Sequence, residues 1–527
     1  MIMVAGASRS RMTQEEETPC TGRRAHAAQA YRGGAARASA LSPDPATDGR
    51  AMPRLHALAT TTLALLAAPL FPASAQGRPA ITPEVRPFVS VDAPVVALTH
   101  VRLIDGTGAP ARDDQTVVLT GTRITSVGPS ATTAIPAGAR VVDLAGHTVI
   151  PGLVGLHEHT YFGGVKRITQ MSTSAPLLYL AFGVTTAMSA GSMLPYQELN
   201  MARAVNAGRL PGPRFLITGP YLDGDKTRSA NAKALATPEE AARTLTYWHA
   251  EGVRWVKVQG SISRQMLGHV VRLAHARGMK VTGHLCSVTF AEAAALGIDA
   301  LQHGFITNSE YVPGKQPDVC PPENMRVQTD VDVGSDAVQA SIKALAKSKA
   351  AVVSTLAVYE TFSPERFKLD TAAMAMLDPD VRREVEANYA NIRRGGLIVS
   401  QKLLSSMMRW ERDFVAAGGL LGAGSDPWGT GFLPGFGNIR NYEVLVEAGF
   451  PPAQAIQILT LNGAKILGME RDVGAVTAGR QADLVIVRGD PTTTPRDLYN
   501  VTTVFRAGVG YDSDKLRNAA RGLVGVR

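Results

Sequence analysis

Between residues 94 and 149, apolar positions alternate with polar ones in short runs broken by glycine, proline and aspartate. This is the pattern of half-buried β-strands joined by turns. The runs are 95–98, 99–104, 116–119, 124–128 and 141–144, with Asp105-Gly106-Thr107-Gly108 as the clearest turn signal. Residues 474–487 and 501–507 read the same way near the other end. The simplest arrangement joins both ends, 90–149 and 470–520, into one small composite β-sandwich domain.

The centre of the chain, 150–469, follows a different rhythm. Short apolar runs, each bordered by turn residues, recur eight times with helical stretches between them: 153–157, 184–190, 214–219, 255–259, 280–286, 300–305, 351–356 and 420–426. The helix starts are legible. Thr237-Pro238-Glu239-Glu240 supplies a cap, a first-turn proline and a capping glutamate, and Ser263 opens a helix that stops at Gly278. Eight strand–helix units predict a parallel TIM (β/α)8 barrel. An open doubly wound sheet is the alternative, but no glycine-rich phosphate loop follows the first strand.

Composition changes this picture little. The chain has 527 residues, 45% hydrophobic and 19% charged, which suits a globular barrel with a smaller module. Aromatic residues at 6% and the lack of a dense basic block argue against nucleic-acid binding. Residues 52–75 have the layout of a signal peptide: Met52-Pro53-Arg54, an apolar run over 57–68, then Ala73-Ser74-Ala75. Residues 1–51 read as an upstream extension or dispensable leader. Removing residues 1–75 takes away eight arginines and five acidic residues, so the net charge of +9 falls to +6. No later apolar run is long enough to span a bilayer. The expected location is therefore periplasmic or secreted, after cleavage near Ala75. There, Cys286 and Cys320 either form a disulfide or remain two buried thiols that never meet.

The histidines carry the sharpest chemical signal. The chain holds only 11, yet several stand at the carboxyl ends of predicted strands, where TIM-barrel sites are built. His157 and His159 lie two apart, so an extended strand turns both imidazoles to one face. His284 closes the fifth strand and His303 the sixth. Four imidazoles at three strand ends form a ligand set for zinc or a similar ion. His249, His269 and His275 fall in helical stretches, and His100 and His147 in the β-module, and they are assigned no chemistry. Lys257 lies in a strand that a parallel barrel buries. Desolvation beside cations lowers a lysine's pKa, and the neutral amine can then capture carbon dioxide as a carbamate with two oxygens able to bridge two ions. A lysine snorkelling to solvent is the bland alternative. Asp426, in Gly424-Ser425-Asp426-Pro427, closes the eighth strand as a metal contact and proton shuttle, or else is only a turn residue.

These residues stand in motifs that resemble the amidohydrolase superfamily in its two-metal, carbamylated-lysine form. Pro151-Gly152-Leu153-Val154-Gly155-Leu156-His157-Glu158-His159 is similar to the family's first-strand motif, Ala181-Phe182-Gly183-Val184-Thr185-Thr186 to its second, and residues 474–491 to its closing segment. The resemblance implies that His157, His159, Lys257, His284, His303 and Asp426 are ligands of two divalent ions, zinc or else manganese or cobalt, with carbon dioxide needed for the lysine. Asp426, Lys257 and His303 would carry the chemistry. Two positions depart from the pattern: Gly155 stands where an acidic residue is common, and Met188-Ser189 where Arg-Asp is common. The prolidase-like and imidazolonepropionase-related branch implies hydrolysis of an amide or peptide bond in a dipeptide or N-acyl amino acid. The alternatives are a cyclic amide, lactone, carbamate or organophosphate at the same site, or a metal-binding protein without turnover. A homo-oligomer is expected, and residues 308–335 are expected to form a loop over the barrel mouth.

Overall fold

The computed structural model describes residues 80–526, apart from 165–167, 228, 230 and 396–398. The signal peptide and leader expectations, residues 1–75, lie outside the described residues.

The two ends of the described chain meet in one nine-stranded sheet. Val89–Val91, Val95–Leu103, Arg112–Thr120, Arg123–Pro129, Arg140–Asp143 and His147–Pro151 come from the first part, and Leu484–Arg488, Val501–Arg506 and Val509–Asp512 from the last. The join is antiparallel, with Leu484 opposite Pro151 and Arg488 opposite His147. Apolar side chains from both ends, among them Val96, Leu98, Val117, Ile124, Val149, Leu484, Ile486 and Phe505, share one core. Burying such side chains stabilises by about 1.5–3 kcal/mol each, enough for segments more than 300 residues apart to find one another. The expected runs 95–98 and 99–104 are one strand, Val95–Leu103, irregular in its pairing where His100 takes a positive φ of +57°. Of the expected 474–487, only 484–488 is a strand. Gly474 and Gly479, at φ +86° and +91°, turn the chain before it.

Between these ends lies an α/β fold of barrel type, and all eight expected strands are present. They are Leu153–Glu158, Val184–Ser189, Arg214–Leu216, Trp255–Val258, Lys280–Gly283, Ala300–Gln302, Ala351–Ser354 and Leu421–Ala423. Their apolar runs are continuous because both faces are covered, as parallel strands require. Hydrogen bonding divides them into a parallel three-stranded sheet carrying the first three and a parallel seven-stranded sheet carrying the other five. Two further strands, Tyr221–Gly224 and Ala232–Leu235, complete the second sheet at one edge. The third strand ends at Leu216 rather than at 219, because Gly219, at φ +69°, and Pro220 take the chain out of the ladder. The last strand returns beside the first: the Asp426 N–H, just beyond it, donates to the His157 carbonyl at 2.8 Å.

The helix starts follow the expected chemistry. The Thr237 side chain accepts from the Glu240 N–H ahead of Pro238–Ala250, and Ser263 accepts from Met266 ahead of Arg264–His275. Residues 308–335 are more than a loop, with a helix at Asn324–Gln328 and a bridge from Cys320 to Cys286, whose Cα atoms are 4.8 Å apart. No helix among the described residues is long and apolar enough to cross a membrane.

Candidate metal centre

The strand ends bring the expected residues to one place. His157 ends the first strand's inward face, and His159 follows immediately after that strand. Lys257 sits mid-strand, opposite Tyr221 on one side and Thr282 on the other. His284 and His303 each come directly after a strand, and Asp426 three residues beyond the last. The His157 and His303 ring centroids are 4.5 Å apart, as are those of His303 and His284. Asp426 Oδ1 is 3.1 Å from His159 Nε2 and 3.5 Å from His157 Nε2, and its Oδ2 is 3.7 Å from His303 Nδ1. His157, His159 and Asp426 each offer an atom within 4.8 Å of the others', so these three could hold an ion. His303 and Asp426 take left-handed backbone, φ +70° and +49°. For a histidine this costs about 1–3 kcal/mol, a strain that functional sites commonly hold.

Burial sets the charge states. Lys257 is 1% exposed, and desolvation pushes its amine down to about 7 against the pull of Asp426. Desolvation also lowers the pKa of His157, His284 and His303 well below the usual imidazole value, with Lys257 adding to the effect on each. His159 is lowered too, by burial, although Asp426 opposes this. Burial alone would raise Asp426, but the hydrogen bond and charge of His159 and the nearby Lys257 hold it below the usual carboxylate value. The site is thus a set of neutral nitrogen donors beside one carboxylate, which is the donor chemistry of a divalent metal site.

Neighbouring groups orient these donors. The Gln302 amide donates to the Thr282 hydroxyl at 2.6 Å, which turns its carbonyl to His157 Nδ1, also at 2.6 Å. His157 therefore donates from Nδ1 and keeps the Nε2 lone pair for the site. His303 Nδ1 is held by the Thr355 hydroxyl at 2.8 Å, while its Nε2 and His159 Nδ1 are buried without a hydrogen-bond partner. Buried unpaired nitrogens are costly in a bare protein, and these two offer lone pairs that a metal ion would take up. Gln302, Thr355 and Glu158, whose carboxylate accepts from Ser425 and Asn438, escaped the sequence reading. Gln302 and Glu158 stand next to a histidine in the sequence, which hinted at them, whereas Thr355 carried no such signal. Of the histidines assigned no chemistry, His100, His147, His269 and His275 make exposed hydrogen bonds elsewhere.

The Amidohydrolase family model matches residues 148–509. The chain belongs to the Amidohydrolase family. Membership places it among enzymes that act on carbon–nitrogen bonds, metal-dependent hydrolases that work on small molecules. The chain is 45% identical over 53 residues to adenine deaminase 3 of Rhizobium meliloti (strain 1021), 10% of this chain and 9% of that one. It spans about a tenth of the length of the curated relatives it matches. Among solved structures, it resembles a candidate prolidase from Bifidobacterium longum at 24% identity, with 82% of this chain and 100% of the other covered and a TM-score of 0.58. It also resembles phenylurea hydrolase B, at 21% identity, 82% and 100% coverage and a TM-score of 0.59. Both likenesses show a shared amidohydrolase fold.

Proposed function

We propose that this amidohydrolase is a two-metal enzyme of the prolidase-like branch that cleaves an amide or peptide bond, of the dipeptide or N-acyl amino acid kind. The observation that carries the reading is the convergence of four largely neutral imidazoles, the buried Lys257 and the ionised Asp426. His157, His159, His284, His303, Asp426 and a carbamate on Lys257 would hold two divalent ions, zinc by preference. The carbamate forms when the neutral Nζ bonds the carbon of carbon dioxide and gives up one proton to water, turning a neutral amine into an anion. Bound metal supplies Lewis acidity, lowering the pKa of water and polarising a carbonyl. Asp426 takes the proton of the attacking water and hands it to the leaving nitrogen, a poor leaving group that needs it. His157 and His303 stay fixed by Gln302 and Thr355 throughout.

A second reading keeps the site and changes the substrate to an aromatic amide, urea or carbamate. It is favoured by the rings around the site: Tyr161 lies 4.8 Å from His159 and 6.2 Å from Trp428, and Tyr359 stands edge-on to His303 at 5.6 Å. One assay covers both readings: dipeptides, N-acyl amino acids, N-aryl ureas and carbamates, with zinc or manganese restored. Metal-dependent turnover of the first two classes supports the main reading, turnover of the last two alone supports the second, and none with full metal content overturns both. The reading also takes 90–149 with 470–520 as a composite β-sandwich domain and 150–469 as a closed hydrolase barrel. It further takes the enzyme as exported and assembled as a homo-oligomer.

A further inference from the structure

Gly155, two residues before His157, leaves open a space that another residue fills. A Cβ at 155 would lie 2.1 Å from Glu158 Oε1, so the missing side chain is what admits the Glu158 carboxylate, itself 1% exposed. Oε1 accepts from the Ser425 N–H at 3.2 Å and from the Asn438 amide at 2.7 Å, and Oε2 accepts from the Ser425 hydroxyl. Ser425 immediately precedes Asp426. Glu158 therefore ties the strand that bears His157 and His159 to the segment that bears Asp426, and Asn438 adds the first turn of Phe436–Glu447. A cavity of about 10 Å³ lies beside Gly155, lined also by Gly424 and Asn438.

We propose that Glu158 is the positioning residue for Asp426. Its carboxylate, in the space left by Gly155, holds Ser425 so that Asp426 keeps the left-handed turn that presents it to both histidines. The strand does not alternate regularly here: two positions of the neighbouring strand, Ala187 and Ser189, face three steps from Gly155 to Glu158, and this irregularity brings the Glu158 side chain to the space beside Gly155. It touches no reacting atom, and a buried carboxylate with three donors has little freedom to move. This rests on the reading of Asp426 as ligand and proton carrier. It also implies that the carboxylate itself, rather than residue 158, is what the site requires.

The test moves the carboxylate. Wild type, Glu158→Ala, Gly155→Asp and the double variant Gly155→Asp/Glu158→Ala are loaded with Co²⁺. The visible Co²⁺ absorption, bound Co²⁺ per chain, and kcat and KM on the dipeptide Met-Pro are then measured. Each single variant is expected to change the absorption envelope and lower kcat by about 10- to 100-fold with KM little changed, the scale of a misplaced catalytic group. Gly155→Asp fails because two carboxylates compete for one space. The double variant is expected to restore the envelope and most of kcat. A Glu158→Ala spectrum and kcat equal to wild type, or a double variant no better than the worse single, overturns the proposal. If Glu158→Ala does not fold, Glu158→Gln decides: an altered spectrum with lower kcat supports the proposal, and unchanged values overturn it. A wild type that binds no Co²⁺ overturns the metal-site reading itself. Wild-type binding with no Met-Pro turnover leaves the spectra to decide the role of Glu158.

Discussion

Lys257 and Asp426 carry opposite demands on their surroundings. In the proposed function Lys257 loses its proton, and its burial on a strand packed from both sides favours that. With Lys257→Ala, two divalent ions per chain should fall to well under one in metal analysis, and activity should disappear with them; full metal content in that variant would remove the lysine from the site. Asp426, in the same proposal, stays ionised and exchanges a proton. Asp426→Asn keeps the size and one oxygen but cannot act as a base, so kcat under saturating metal should drop by about 10²- to 10⁴-fold. Near wild-type turnover by the metal-replete variant would end its assigned role. Both residues were legible in the sequence because strand alternation and strand ends determine where a side chain points. Gln302 and Thr355 were not, because their value lies in distances of 2.6 Å and 2.8 Å to histidines that lie 145 and 52 residues away in the chain.

Elements answer to pH and covalent ties in their own ways. Glu411, on the helix Gln401–Ala416, is 1% exposed, and burial pushes its carboxyl up to about 8 while Ser354 opposes weakly. In the unfolded chain it ionises near 4.5, so the folded state holds an extra proton between that value and about 8. The group therefore withdraws stability as pH rises through this window. Glu411→Gln should gain in melting temperature relative to wild type between pH 5 and pH 8; a constant difference across that range would contradict the assignment. The Cys286–Cys320 bridge closes a 34-residue separation, for which loop entropy predicts about 2–4 kcal/mol of stability. Cys320→Ser should lose that amount in denaturant titration with kcat little changed. The strand Tyr221–Gly224 shows where local reading ran out. Four residues ending in Asp223-Gly224 look like a turn, and only pairing with Ala232–Leu235 on one side and Trp255–Val258 on the other makes them a strand.

For the whole molecule, export is the outstanding expectation. Material recovered from the native cell should begin at or near Gln76 by N-terminal mapping, and a start upstream of Met52 would remove the signal peptide and the location with it. The larger division of the chain was readable without coordinates. Alternation with a period of two at both ends and strand–helix repetition in the middle are set by which side chains must leave water, and burial is local in its demand. The histidine, lysine and aspartate placements followed from the same rule, since each stands in or just after an apolar run. What neighbours what is another matter. That Leu484 pairs with Pro151, that Cys286 meets Cys320, and that Gly155 is empty so that Glu158 can hold Ser425 are facts of shape. They depend on the summed packing of segments far apart in the chain, and loop entropy rises too slowly with separation to mark which distant pairs will meet. Periodicity and residue chemistry determined most of the elements and the candidate ligand types by themselves. Only the tertiary structure decided the partners, because close packing selects contacts that no local pattern encodes.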